Sequence, residues 1–328
     1  MLRQGLVRCF AAGMLLLVTA AAAYANDANK TLKIGVIYDL TGPFAGGGSE
    51  LHYLGAKTMI DWFIQKGPIE GYKIEAVYAD GQSKPDVVIN EAGAKEGGLN
   101  IVLDEGYSAT APDLSSLVTK LKRARPDVIF HTGYNPDISL FLRQARELGL
   151  RFSALIGHGA GYTDYTRIKQ AVGTDANYFF DVDPISIWDT NPKYLKPELV
   201  PMIQMVGDAY LKAKPETIIK SPHVGMAASN TYLFLADVLP RAIKKYGGVN
   251  ADALSKAARE TDVPDGGTML GFGVKFEPEE AAMAGQNMRA FPVVIQYIDD
   301  KAYVVWPKSQ QQREPELKLP ASSPYAVQ

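Results

Sequence analysis

The sequence predicts an α/β fold in which parallel strands are flanked by helices. Strand-like and helix-like segments alternate through the first 180 residues, the order that builds parallel sheets with right-handed crossovers. The length of 328 residues fits about two domains. Hydrophobic residues make up 47% of the chain and charged residues 21%, an ordinary globular balance that excludes wholesale disorder.

The elements follow in order. Leu32 to Leu40 reads as a buried strand, and a turn runs from Thr41 to Ser49 with Gly46, Gly47 and Gly48 inside it. Glu50 to Lys66 reads as a helix whose apolar side carries Leu51, Leu54, Ile60, Trp62, Phe63 and Ile64, stopped by Gly67-Pro68. Tyr72 to Tyr78 is a second strand and Asn100 to Glu105 a third. Leu114, Leu117, Val118 and Leu121 form a helical stripe opened by Pro112-Asp113 and ended by Pro126. Asp127 to Phe130 starts a strand. Ile138, Phe141, Leu142, Ala145 and Leu148 make the next stripe, with Gly149 placed as its C-cap. Strands are expected at Phe152 to Ile156 and Tyr178 to Val182, and helices around Val200 to Lys212 and Val224 to Lys245. Phe291 to Tyr297 and Ala302 to Trp306 read as a hairpin across Asp299-Asp300-Lys301, and residues 309–328 as a loose, polar, Pro-rich tail.

Residues 1–25 read as a secretory signal. Arg3 and Arg8 precede an apolar run from Phe10 to Ala23, and Ala23-Tyr24-Ala25 fits the small-x-small cleavage rule. The alternative, an uncleaved anchor, is opposed by that cleavage site. The single cysteine, Cys9, lies ahead of the apolar run rather than at the cleavage site, which argues against a lipoprotein. A mature chain starting near Asn26 then has no disulfide, thiolate metal site or Cys nucleophile. Removing the leader leaves 32 basic against 36 acidic residues, so a nucleic-acid binder relying on a basic field is excluded.

Catalytic signatures are missing. His52, His131, His158 and His223 are scattered, with no HExxH or paired-His zinc spacing. Gly47-Gly48-Ser49-Glu50-Leu51 breaks the nucleophile elbow at its last position. The glycine run lacks the G-x-G-x-x-G spacing of a dinucleotide turn. It reads as a flexible turn, or as an anion contact made by backbone N–H groups at a helix start. Met202, Met205 and Met226 read as helix packing residues, and Glu277, Glu279 and Glu280 as solvated surface, since the D-x-D-x-D-G calcium pattern is absent. Neither a cofactor nor a metal is expected.

Four segments together resemble the substrate-binding proteins of branched-chain amino-acid ABC transporters, the type I periplasmic binding proteins. They are Lys33-Ile-Gly-Val-Ile-Tyr-Asp-Leu-Thr-Gly-Pro-Phe44; Gly71-Tyr-Lys-Ile-Glu-Ala-Val-Tyr-Ala-Asp80; Asp113-Leu-Ser-Ser-Leu-Val-Thr-Lys-Leu-Lys122 with Pro126-Asp-Val-Ile-Phe130; and Gly133-Tyr-Asn-Pro-Asp137 leading into Leu142-Arg-Gln-Ala-Arg-Glu-Leu-Gly149. The resemblance spans most of the mature chain. It implies two α/β lobes that close on a ligand like a hinged clamp, with lobe one built from 30–91 and 222–285 and lobe two from 92–221 and 286–308.

The sequence departs from the family after Pro85-Asp-Val-Val-Ile-Asn90, where the family continues lobe one through further strand-helix units. Here Glu91-Ala-Gly-Ala-Lys-Glu-Gly-Gly-Leu-Asn-Ile-Val102 follows directly, resembling the end of a lobe-two helix and its next strand. An internal deletion joined near Asn90 to Ala92 is expected, leaving lobe one incomplete and without the family's Ser/Thr ligand loop. The rival is a natural shortened variant whose sheet is completed by another route.

The resemblance places Tyr134 at the family's aromatic ligand-contact position. It places His158, in Gly157-His-Gly-Ala-Gly161, near where amino-acid-binding members carry an acid for the ammonium group. A histidine there puts amino-acid specificity in doubt and leaves room for an organic or aromatic acid. Phe44 and Ser49 sit on the first-lobe turn, where Phe44 serves equally as a core staple and Ser49 as an N-cap. Tyr107, Tyr162 and Asp164 are further cleft-side candidates. The expected function is non-enzymatic capture of a small amino acid or organic acid in the periplasm by a monomer, for delivery to an ABC permease in the inner membrane. Impairment by the deletion goes with that expectation. A ligand-independent sensor or scaffold and an exported α/β enzyme are the alternatives.

Overall fold

The computed structural model describes residues 30–41, 48–80, 100–281 and 283–327. The expected leader, Phe44 and the Asn90–Ala92 junction lie outside them.

The first unit is a β-α-β motif. Strand β1 (Lys30–Tyr38) pairs in parallel with β2 (Tyr72–Asp80), from Lys30 opposite Tyr72 to Tyr38 opposite Asp80. Helix α1 (Glu50–Lys66) crosses between them. Its buried residues Leu51, Gly55, Ala56, Met59, Ile60 and Phe63 recur at helical spacing and give it one core-facing stripe. Gly55 meets the helix Pro222–Leu233: a Cβ there would stand 2.0 Å from the Val224 carbonyl oxygen, so only glycine allows this close approach.

The second unit is a five-stranded sheet of order β3-β4-β5-β8-β9. Helix α2 (Ser115–Ala124) leads into β3 (Val128–Thr132), α3 (Asn135–Glu147) into β4 (Ala154–His158), and the short α4 (Ala160–Thr163) and α5 (Tyr165–Val172) into β5 (Phe180–Asp183). These three strands are parallel. β8 (Val293–Ile298) and β9 (Lys301–Trp306) complete the sheet as an antiparallel hairpin. Asp299 and Asp300 both have positive φ, 49° and 62°, which fits the two-residue turn that follows strand twist.

Between β5 and β8 the chain runs through α6 (Leu199–Ala213) and α7 (Pro222–Leu233), then a single wide turn (Phe234–Val238) into α8 (Leu239–Tyr246), as the long helix expected there. Helix α9 (Ala251–Arg259) and the two-residue strands β6 (Asp262–Val263) and β7 (Val274–Lys275) follow. One continuous core reaches from Val36 and Met59 in the first unit to Phe141, Phe152 and Val293 in the second.

Two expectations are corrected. Residues 100–105 do not form a strand. Ile101 and Val102 stay 38% and 48% exposed and Glu105 turns to Lys120 on α2 at 2.6 Å, so the apolar run finds no ladder to join. The C-terminal tail is not loose. Leu319, Tyr325 and Ala326 are buried, and the Tyr325 ring stacks on Phe152 with centroids 5.4 Å apart. Phe152 N–H donates to the Tyr325 carbonyl and Leu319 N–H to that of Ser153, both at 2.9 Å. The Gln296 amide holds the Glu316 backbone through both of its atoms, at 2.8 and 2.9 Å. Three apolar anchors within a polar stretch override its composition.

Candidate ligand site

Ligands of parallel α/β sheets lie at the carboxyl ends of the strands. In the first unit that end is Asp39 to Thr41. Ser49 Oγ accepts from the Asp39 N–H at 2.7 Å. Asp80 Oδ1 accepts from the N–H groups of Leu40 and Thr41 at 2.9 and 3.2 Å, and Asp80 Oδ2 from the Thr41 hydroxyl at 2.6 Å. The carboxylate ending β2 thereby satisfies backbone donors after β1. Ser49 itself has helical φ and ψ and makes no side-chain cap bond, so the N-cap reading is replaced by a staple onto β1.

In the second unit β3 and β4 end side by side, with Thr132 opposite His158. His158 is exposed, and the half-buried Tyr134 follows β3 by two residues as the N-cap of α3. Its backbone N–H donates to Asp137 Oδ1 at 2.9 Å, fixing where the helix starts. Tyr134 and His158 are therefore brought to one sheet end.

Tyr107 and Tyr162 are placed elsewhere, as parts of a wall beneath that end. Tyr162 is fully buried, and a Cβ on Gly157 would sit 2.2 Å from its ring. Its hydroxyl lies 2.5 Å from His131 Nδ1. His131 Nε2 lies 2.7 Å from the Tyr107 hydroxyl, which donates to Asp137 Oδ2 at 2.5 Å. One proton assignment satisfies the chain: Tyr162 O–H to Nδ1, Nε2–H to the Tyr107 oxygen, and Tyr107 O–H to the carboxylate. Burial holds His131 down to about 3, consistent with this neutral imidazole, and raises Asp137. Both tyrosine hydroxyls are thus engaged internally. Asp164 is buried, accepts from Asn135 Nδ2 at 3.1 Å and caps α5 through the Arg167 N–H, so it too is structural. Phe44 lies outside the described residues.

Sequence reasoning missed His131, Asp137 and Asp80. Asp137 was legible as the acid at the third position of a helix start; His131 and Asp80 carry no local signal, because their partners are 31 and 39 residues away.

Two concavities are also present. One, of about 160 Å3, is lined by Asp164, Arg167, Tyr210 and Lys214. The other, of about 340 Å3, runs along β1 between Ile34 and Tyr38 and is walled by Ala56, Ile60, Phe234 and Leu235. Among the described residues no strand pairs with that side of β1. No group of three or more His, Cys, Asp or Glu there has metal-binding geometry.

Comparison with known proteins places the chain. A family model described as periplasmic binding protein matches residues 31–93 and 90–296. The Leu/Ile/Val-binding protein homolog 7 of Brucella abortus is 35% identical over 237 residues, covering 72% of this chain and 55% of that protein. Homolog 8 of the same organism is 33% identical over 262 residues, covering 77% and 60%. The chain spans a little over half the length of these relatives. A branched-chain amino acid ABC transporter protein from Thermus thermophilus with bound valine has a TM-score of 0.65 at 12% identity, over 85% of this chain and 96% of that one. The isoleucine-bound substrate-binding protein of a Streptococcus pneumoniae branched-chain amino acid transporter gives 0.58 at 16%, over 85% and 100%. The fold is accordingly that of the type I periplasmic binding proteins, and the chain belongs to the periplasmic binding protein family.

Proposed function

We propose that this chain is a solute-binding component of an ABC importer, capturing a small amino acid or organic acid at the strand ends described above. The observation that carries the reading is that β3 and β4 end side by side, with Thr132 opposite His158 and Tyr134 two residues beyond β3. The Tyr134 ring offers an apolar face and a hydroxyl, and His158 a donor for a carboxylate. Capture needs no bond chemistry: a micromolar dissociation constant corresponds to about −8 kcal/mol, within reach of a few hydrogen bonds and apolar burial. The reading includes export to the periplasm, delivery to an inner-membrane permease, action as a monomer and no catalysis.

It also includes a shortened first lobe. The two matched pieces of the family model overlap at 90–93, the curated relatives are longer, and β1 keeps an unpaired side among the described residues. That open edge favours a second reading, a scaffold or sensor that presents the second lobe without holding a solute.

Thermal unfolding with leucine, isoleucine, valine and a panel of aromatic acids tests the first reading. A true ligand at about 100 times its dissociation constant adds roughly 2.7 kcal/mol and raises the midpoint, and Tyr134→Ala and His158→Ala remove that rise. A cooperative transition that no compound moves overturns capture in favour of the second reading.

A further inference from the structure

Three titratable side chains form a chain between the two units, from α1 to the carboxyl end of β5. His52 lies in the first turn of α1 and His223 in the first turn of α7, while Asp183 ends β5. His52 Nε2 is 2.6 Å from His223 Nδ1, and His223 Nε2 is 2.7 Å from Asp183 Oδ2. The imidazole centroids are 4.6 Å apart. His223 and Asp183 are 6% and 7% exposed, so water does not substitute for these bonds. Helices α1 and α7 are packed against each other at Gly55, and Asp183 belongs to the five-stranded sheet. The relay therefore joins the helices over the first sheet to the strand of the second.

Counting protons shows what the relay tolerates. The Asp183 bond needs a proton on His223 Nε2, and the bond between the imidazoles needs one proton on either His223 Nδ1 or His52 Nε2. With one more proton the relay is a cation beside a carboxylate, and both bonds survive. When both imidazoles are charged, two N–H groups point at each other across 2.6 Å and the link breaks.

We propose that His52, His223 and Asp183 form an acid-released pin, which holds the two units in their present orientation and frees them when both imidazoles carry charge. This rests on the solute-binding reading, in which freeing the units lowers solute affinity. Burial, and then the charge on His223, hold His52 down to about 4. A lowered histidine contributes stability above its ordinary value near 6.5 that is lost as pH falls toward 4. The groups around the relay do not reverse this. Tyr38 of β1 faces His52 at 6.2 Å and Tyr53 packs on Tyr38 and on Tyr78 of β2; burial raises Tyr38 and Tyr78, keeping both neutral in this range. Glu50 on α1 is engaged by Arg167 and Lys214 at 3.4 and 2.9 Å. Asp181 on β5 is raised well above the usual carboxylate range by burial and then by the Asp183 charge.

The test needs no solute. In the full chain carrying Cys9→Ser, spin labels at Lys73→Cys on β2 and Arg123→Cys on α2, both exposed positions, report the distance between units. The expected result is a narrow distribution at pH 7.5 that shifts to longer distances with a midpoint near pH 4 and returns on neutralisation. His52→Gln keeps one N–H for His223 but takes no second proton, and is expected to hold the narrow distribution at pH 4. Where acid unfolds the chain instead, seen by far-UV circular dichroism, the same variant is expected to lower the acid midpoint. If His52→Gln itself does not fold, carbon-13 titration of the wild-type imidazoles decides: His52 titrating near 6.5, independently of the distance change, overturns the pin. An unchanged distance in the folded wild type, or a transition unmoved by His52→Gln, also overturns it. Failure of solute capture leaves the distances unaffected and is read separately.

Discussion

The hydroxyl of Tyr107 donates to Asp137 at 2.5 Å across 30 residues of sequence. The same carboxylate fixes the start of α3 by accepting the Tyr134 N–H. The turn that carries a candidate ligand contact is thus set by a buried chain running through Tyr107 and His131 to Tyr162. Tyr107→Phe removes the hydroxyl and leaves a carboxylate oxygen and an imidazole N–H unpaired. The expected loss is about 1–3 kcal/mol, read as a lower urea midpoint with unchanged slope. A loss near zero would mean that water replaces the hydroxyl at both partners.

Asp181 gives a pH dependence of definite sign. It is fully buried, and neither carboxylate oxygen has a hydrogen-bond partner among the described residues. Burial raises its pKa, so the folded state binds a proton that the unfolded state releases above its ordinary value of 3.8. Stability from this group therefore falls as pH rises from about 4 toward neutrality. Asp181→Leu is expected to raise stability at pH 7 by about 1–3 kcal/mol, with the gain shrinking at pH 4. Urea unfolding at both pH values checks it; a gain equal at the two would assign the effect to packing rather than ionisation.

Gly55 is a stability position of another kind. Gly55→Ala places a methyl group against the Val224 carbonyl oxygen, a backbone atom that cannot rotate away. The expected cost is about 1–3 kcal/mol from forcing α1 off α7. Because His52 and His223 ride on those two helices, their imidazole signals are expected to shift together in the same variant. Preserved shifts with lost stability would show that the helices yield elsewhere.

The elements legible in the sequence are those whose signal is local. Glu50 to Lys66 was bounded correctly because it carries an apolar stripe and is flanked by a glycine-rich entry and a Gly-Pro stop. The Asp299-Asp300 hairpin was legible for the same reason. Residues 100–105 were misread because an apolar run forms a strand only where a ladder receives it, and that depends on neighbours distant in sequence. Helix α9 was overlooked because its buried residues are Ala253 and Ala257, too small to mark a stripe, although Asn250 caps it by accepting from the Ala253 N–H at 2.9 Å. The candidate site divided along the same line. Tyr134 and His158 were named by the resemblance and stand just beyond β3 and at the end of β4, whereas the internal partners that occupy Tyr107 and Tyr162 are set by packing of residues 24 to 31 positions away.

The end of the chain offers the sharpest test of that limit, because composition and structure disagree there. Tyr325 is completely buried, stacks on Phe152 at an interplanar angle of 14° and donates its hydroxyl to the Leu142 carbonyl at 3.0 Å. Leu142 lies on α3 and Phe152 just before β4, so this one side chain ties the tail to the helix and strand that frame His158. Tyr325→Ala removes the ring from a closed space and is expected to cost about 3–5 kcal/mol. Tyr325→Phe, which keeps the stack and loses only the hydrogen bond, is expected to cost about 1 kcal/mol. Urea unfolding of both variants separates the terms. Equal, negligible losses would mean that the tail detaches freely in solution, and the buried position would then contribute nothing to the frame around His158.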